Sequence, residues 1–219
     1  MPALDPLHIC IGLGPLAMYF LALGRINLAA RPTLTTGGRD FIALGIALCG
    51  LVVVGPMELF VSESAAQVYG SAVWAIMLTA YGLCVLLFSL VMRPRLVVYN
   101  VTPEQLRPLL ESVVEKLDVG ARWAGDALAL PGLGIQLHLE SFPATKNMQL
   151  VSSGPEQNLP AWRRLARALA AELRTARTTP NPAGYYFFFV GLAIASGITL
   201  LLAYDPPAVT QSLHHLLRR

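Results

Sequence analysis

Residues 71–92 read SAVWAIMLTAYGLCVLLFSLVM, a run of 22 residues without a single charged side chain. A helix needs about 20 predominantly apolar residues to cross the hydrocarbon core of a bilayer. Three further segments of the chain are predominantly apolar over similar lengths. The sequence therefore predicts four transmembrane helices, at about 6–28, 40–62, 70–92 and 184–204.

The composition agrees with two different solvents for different parts of the chain. Hydrophobic residues make up 55% of the 219 residues and charged residues only 13%, against about a quarter charged in an ordinary soluble domain. The charged residues are concentrated in 93–177, so this segment is predicted to lie in water. The net charge of +3 is too small to favour nucleic-acid binding.

The first apolar segment has a signal peptide as its alternative reading. Asp5 is the only charge before it, so it lacks the basic start of a signal peptide, and Pro15 interrupts the run. We therefore expect a retained helix. Cys10, Cys49 and Cys84 all lie in apolar runs, which predicts buried thiols rather than a disulfide framework.

Orientation is predicted from the lysines and arginines. The loop after the first segment carries three arginines, the loop at 62–70 carries no basic residue, and residues 93–184 carry eleven. Because loops rich in Lys and Arg stay in the cytoplasm, 24–40 and 93–180 are predicted to be cytoplasmic and both termini outside. Arg218 and Arg219 do not fit this scheme. The predicted location is a bacterial inner membrane, with the chain crossing it several times.

The segment between the third and fourth spans reads as a small α+β domain. Arg95–Asn100 predicts a strand, and Thr102-Pro103-Glu104-Gln105 is a capping signal for a helix that runs to Leu117. A second helix is predicted at about 160–177. Further short strands are predicted at Ala121–Ala124, Ala127–Leu130, Ile135–Phe142 and Met148–Ser152. This order indicates an antiparallel sheet with two helices on one face.

The predicted fold class is thus a membrane all-α protein of four transmembrane helices with an inserted α+β domain. Residues 1–92 hold three spans, 93–180 form the domain, and 181–219 hold the fourth span and a short amphipathic tail.

One polar pair is predicted among the spans. His8 begins the first span and Glu58 ends the second, so antiparallel neighbouring helices would place them at similar depth. Such a pair could relay protons or bind a cation, whereas two interfacial side chains reaching water are the simpler reading.

Prolines and small residues mark the packing of the spans. Pro15 and Pro56 can kink their helices, a feature found in transporters but also tolerated in ordinary membrane helices. In the fourth span, small residues recur at a spacing that allows close helix packing: Gly191, Ala193, Ala195 and Gly197.

The two domain helices carry charge stripes of opposite sign. Helical spacing places basic residues on one side of the second helix, where they could face anionic lipid headgroups: Arg163, Arg167, Arg174 and Arg177. The first helix carries an acidic face that could dock a basic partner: Glu104, Glu111, Glu115 and Asp118. A plain solvated surface is the alternative for each stripe.

No catalytic, cofactor or metal motif stands out. Gly132-Leu-Gly134 lacks the third glycine and the strand-to-helix context of a dinucleotide loop, and His214-His215 has no further ligand nearby in sequence. The first hypothesis is a non-enzymatic membrane protein whose cytoplasmic domain docks a protein partner, as an accessory, assembly or scaffold subunit. The alternative is a component of a small oligomeric transporter or channel.

Overall fold

The computed structural model describes residues 6–57, 71–154 and 158–204. Its helices are α1 (Pro6–Leu28), α2 (Gly37–Val52), α3 (Ser71–Val91), α4 (Pro103–Leu117), α5 (Leu159–Thr175) and α6 (Ala183–Tyr204). Its strands are β1 (Thr33–Thr36), β2 (Arg95–Tyr99), β3 (Arg122–Ala124), β4 (Ala127–Leu130), β5 (Ile135–Phe142) and β6 (Asn147–Ser152).

Four of these helices, α1, α2, α3 and α6, are long and apolar enough to cross a membrane. Helix α2 continues into a π-helical turn at Val53–Met57, which contains Gly55 and Pro56. Proline cannot donate the backbone hydrogen bond of a regular α-helix, so Pro56 explains why the α-helix changes to a π-helical turn here. The four helices are compatible with a multi-pass membrane protein.

The chain divides into two compact units, of which the first comprises residues 1–23, 41–88 and 187–219. Glycines bring its helices together. A Cβ atom built on Gly45 of α2 would lie 2.7 Å from Cγ1 of Val85 in α3, and one on Gly191 of α6 would lie 2.9 Å from Cγ of Leu21 in α1. Gly50 of α2 lies directly against the backbone of α1. The predicted close packing of α6 is therefore present at Gly191, whereas Gly197 has no neighbour within this range.

The second unit comprises residues 24–40 and 89–186 and is built on a six-stranded antiparallel sheet of order β1-β2-β6-β5-β4-β3. Five of these strands lie where the sequence predicts them, within one or two residues at each end. The sixth, β1, lies in the loop between α1 and α2, for which the sequence analysis predicts no strand. Its pairing with β2 aligns Thr33 with Tyr99 and Thr36 with Leu96.

The β1–β2 pairing also constrains topology. Two long apolar helices, α2 and α3, separate these strands in sequence. If both cross a membrane, the chain returns to the side from which it started, which allows β1 and β2 to share one sheet. The loop at 24–40 and the inserted domain therefore lie on the same side of any membrane that α2 and α3 cross.

Helices α4 and α5 cover one face of the sheet and form its core. Leu106 and Leu110 of α4 and Leu165 and Leu169 of α5 are completely buried, as their helical spacing predicts. The other face is covered at β2 by the first turn of α2: Gly37 lies against the side chain of Arg95, and the Tyr99 hydroxyl donates to the Asp40 carboxylate. Helices α4 and α5 and the start of α2 thus lie on opposite faces of the sheet.

Candidate functional surfaces

The acidic residues of α4, which form a predicted docking face, are mostly engaged within the domain. Asp118 ends the helix, and its two carboxylate oxygens accept backbone hydrogen bonds from Gly120 at 2.9 Å and Gly132 at 2.8 Å. Glu111 forms an ion pair with Arg107 at 3.4 Å. Asp118 therefore holds together the turn after α4 and the turn after β4, and Glu111 is already neutralised within the domain.

Glu104 is engaged at the start of α4. Hydrogen bonds from its own backbone N–H and from the Thr102 side chain hold the pKa of this exposed carboxyl below its ordinary value. The Thr102 N–H donates to the Gln105 side chain at 3.3 Å, so this part of the predicted capping signal is present. Of the four predicted docking residues, only Glu115 has no partner within the described part of the chain.

The arginines of α5 are in a different situation. Arg163, Arg167 and Arg174 are exposed on the helix, and Arg177 is exposed two residues after it ends. These four residues form the arginine stripe. None of them lies within ion-pair distance of an acidic side chain in the described ranges. Arg167 donates only to the backbone carbonyl of Arg163, at 3.3 Å. The stripe thus carries positive charge that the described residues of the domain do not neutralise.

Glu172 shows which way the stripe faces. Its carboxylate forms an ion pair with Lys116 of α4 at 2.6 Å, so this side of α5 faces α4. At 3.6 residues per turn, Arg163, Arg167 and Arg174 lie about 140–180° around the helix from Glu172. They also lie on a different side of the helix from the buried residues Leu165 and Leu169. The stripe therefore lies on the side of α5 that faces away from α4 and from the core.

A buried polar cluster that the sequence analysis did not identify joins the ends of two apolar helices. Asn27, near the end of α1, and Asn181, just before α6, are almost completely buried. The Asn181 side-chain amide donates to the Asn27 side chain at 3.3 Å and to the Thr145 carbonyl at 2.7 Å, and its oxygen accepts from the Ala183 N–H at 3.1 Å. Asn181 therefore caps α6 and links it to α1 and to the turn between β5 and β6.

A third buried asparagine completes this arrangement. Asn100 follows β2 with a backbone φ of 59° and donates from its side chain to the Ala29 carbonyl at 2.6 Å. Asparagine adopts this left-handed conformation more readily than most residues. The polar residue types beside apolar helices were visible in the sequence, but their partners lie far away along the chain. These contacts satisfy buried backbone and side-chain groups, whereas Oδ1 of Asn100 is buried without a partner among the described residues.

Other titratable groups offer little chemistry. His138 and Glu140 form a half-exposed pair at 2.7 Å on the sheet face opposite to α4 and α5. No group of three metal-ligating side chains occurs within residues 6–57, 71–154 and 158–204. His8 lies in the first turn of α1, and Glu58 lies outside the described residues, so their predicted pairing stays a prediction.

Three hydroxyl groups in the apolar helices donate to helix carbonyls. Tyr81 of α3 donates to the Gly45 carbonyl of α2 at 2.7 Å. Thr79 and Thr199 donate to carbonyls four residues earlier in their own helices, at 2.7 Å and 2.9 Å. These contacts satisfy the hydroxyls locally, as is common in membrane helices. They do not form a polar path through the described parts of the helices.

The chain matches no protein-family model, and comparison with curated proteins and with solved structures found no match.

Proposed function

We propose that this chain is a non-enzymatic membrane protein whose α+β domain docks a protein partner, as an accessory, assembly or scaffold subunit. The observation that carries the proposal is the arginine stripe: four exposed arginines that have no acidic partner in the described residues. Exposed charges are usually solvated, but a stripe of one sign on a folded helix provides electrostatic complementarity for a partner of opposite sign.

The finer placement also belongs to this proposal. The basic residues of 24–40 and 93–180 favour the cytoplasmic side of a bacterial inner membrane for the domain, with both termini outside. The four long apolar helices then anchor the domain, and its charged surfaces are available to other proteins in the cytoplasm.

The transporter alternative has one supporting observation, the π-helical turn at Val53–Met57. Such turns occur frequently at functional sites. However, the hydroxyls of Thr79, Tyr81 and Thr199 donate to helix carbonyls. The ionisable side chains of the four described apolar helices, other than tyrosine and cysteine, all lie in a first or last turn: His8, Arg25, Arg39 and Asp40. Docking is therefore better supported than transport.

Photo-cross-linking in native membranes separates the two functions. A photoreactive amino acid is placed at Arg164, exposed on α5 outside the stripe, and separately at Leu87, exposed on α3. Docking is supported if residue 164 forms a covalent adduct with a different polypeptide. The proposal fails if residue 164 gives no adduct while residue 87 links only copies of this chain, which is the result expected for an oligomeric transporter.

A further inference from the structure

The chemistry of the partner follows from which charges the domain leaves unpaired. On α4, the folded domain uses Asp118, Glu111 and Glu104 in hydrogen bonds and an ion pair. On α5, the arginines of the stripe have no acidic partner within 6–57, 71–154 and 158–204. A basic partner would therefore compete with existing contacts on α4, whereas an acidic partner would meet guanidinium groups on α5 that form no ion pair with a described residue.

The geometry of the stripe suits a carboxylate-rich segment. Arg163, Arg167 and Arg174 lie on one side of a regular helix over about 16 Å, at 1.5 Å per residue. A guanidinium group presents paired N–H donors that match the two oxygens of a carboxylate. Several carboxylates spaced along an extended or helical segment could each reach one arginine, which gives the surface both charge and geometric complementarity.

We infer that the arginine stripe, Arg163, Arg167, Arg174 and Arg177, is the docking surface of the domain, and that its occupant is an acidic segment of a partner protein. This inference rests on the proposed docking function and names the partner's chemistry. It departs from the sequence-based expectation in which the stripe faces anionic lipid and the acidic face binds the partner.

The stripe and the start of α2 lie on opposite sides of the domain. The first turn of α2 lies on the sheet face opposite to α5, where Gly37 and Asp40 contact Arg95 and Tyr99. The stripe lies on the side of α5 away from the core. The stripe is therefore separated from the start of α2 by the thickness of the sheet and of α5, and a carboxylate-rich segment of a protein can reach it from solvent.

The test measures binding of a fluorescent peptide of eight glutamates to the full-length protein in phosphatidylcholine nanodiscs. The variant Arg163→Glu/Arg167→Glu/Arg174→Glu is expected to bind at least about tenfold more weakly, because three attractive contacts become repulsive. The variant with Lys at the same three positions keeps the charge but loses the paired N–H donors, so its affinity is expected to lie between those of the original protein and the Glu variant. Trp162 fluorescence and circular dichroism confirm that each variant is folded.

Two controls locate the effect. Reversal of the acidic face, Glu104→Lys/Glu111→Lys/Glu115→Lys, is expected to leave binding unchanged or to strengthen it. The single variant Arg122→Glu changes an exposed arginine on β3, outside the stripe, and is expected to bind within about twofold of the original protein, since isolated surface charges contribute little.

The remaining outcomes overturn the inference in distinguishable ways. Absence of peptide binding, or equal binding after reversal of the stripe, removes the acidic partner. Loss of binding when the nanodiscs contain about 30% phosphatidylglycerol at physiological salt, where charges beyond about 8 Å are screened, indicates that lipid occupies the stripe. If either occurs while residue 164 still cross-links another protein, the docking function stands and only the partner's chemistry is wrong.

Discussion

Helices α4 and α5 lie side by side on the same sheet, yet their charges have different uses. On α4, acidic side chains hold turns and cap the helix, with Asp118 bonded to the backbone of Gly120 and Gly132. On α5, arginines extend from the helix without an acidic neighbour in the described residues. Surface charge alone therefore does not identify a binding face, because a charged residue can already be committed to the fold.

The largest difference in stability is expected between substitutions on the two sides of α5. Leu169 is completely buried, so Leu169→Ala should destabilise the protein by about 2–5 kcal/mol through lost apolar contacts and the cavity left behind. Arg167→Ala should change stability by no more than about 0.5 kcal/mol. Thermal unfolding of the detergent-solubilised protein, followed by tryptophan fluorescence, measures both. Similar losses in the two variants would show that the stripe has a structural role.

The next largest difference in stability is expected between substitutions of two acidic residues of α4. Asp118→Ala removes the acceptors of two backbone N–H groups and should cost about 1–3 kcal/mol. Glu115→Ala removes a carboxylate without a described partner and should cost no more than about 0.5 kcal/mol. The same unfolding measurement applies. The distinction between committed and free acidic residues fails if Glu115→Ala is the more destabilising variant.

The ion pair between the two helices should have a small effect. Lys116 and Glu172 have side chains that are 65% and 32% exposed, so water weakens their attraction. A double-mutant cycle with Lys116→Met and Glu172→Gln should give a coupling energy of about 0.2–1 kcal/mol. A coupling indistinguishable from zero would remove this pair as a link between α4 and α5, without affecting the stripe.

The smallest effect is expected on the pH dependence of stability, through the carboxyl group of Glu104. Its pKa in the folded protein lies below the ordinary value of 4.5, so its contribution is present above that pH and is lost as the pH falls below it. Between pH 6 and the acid range, the free energy of unfolding of the Glu104→Gln variant should therefore fall slightly less than that of the original protein. Unfolding midpoints measured across this range for both proteins check the direction, and an unchanged pH dependence would contradict the assigned hydrogen bonds.

Much of the fold was predictable because its signals are local. Uncharged runs predict α3 and α6, and leucine spacing predicts α4 and α5. Strand β1 was missed because its four residues, Thr33–Thr36, have too short a pattern, and its partner β2 follows two intervening helices. The Asn27–Asn181 contact joins residues 154 positions apart, and no local pattern reveals such a pair.

The candidate surface was predictable only in part. Helical spacing places the arginines of α5 on one side and the acidic residues of α4 on another. Sequence does not show that Asp118 bonds to Gly132, or that Glu172 turns toward Lys116. These contacts decide which charges remain free, and therefore which partner chemistry the domain favours.

We expect the arginine stripe to be occupied by a partner in the cell. Phenylglyoxal modification of arginines, quantified by mass spectrometry, tests it on native membranes and on the purified protein. Arg107 is an internal reference, because its guanidinium lies 5.2 Å from the Trp123 ring and pairs with Glu111. We expect Arg163, Arg167 and Arg174 to be protected in native membranes and reactive after purification, while the reactivity of Arg107 changes little. Equal reactivity of the three arginines in both preparations would contradict it.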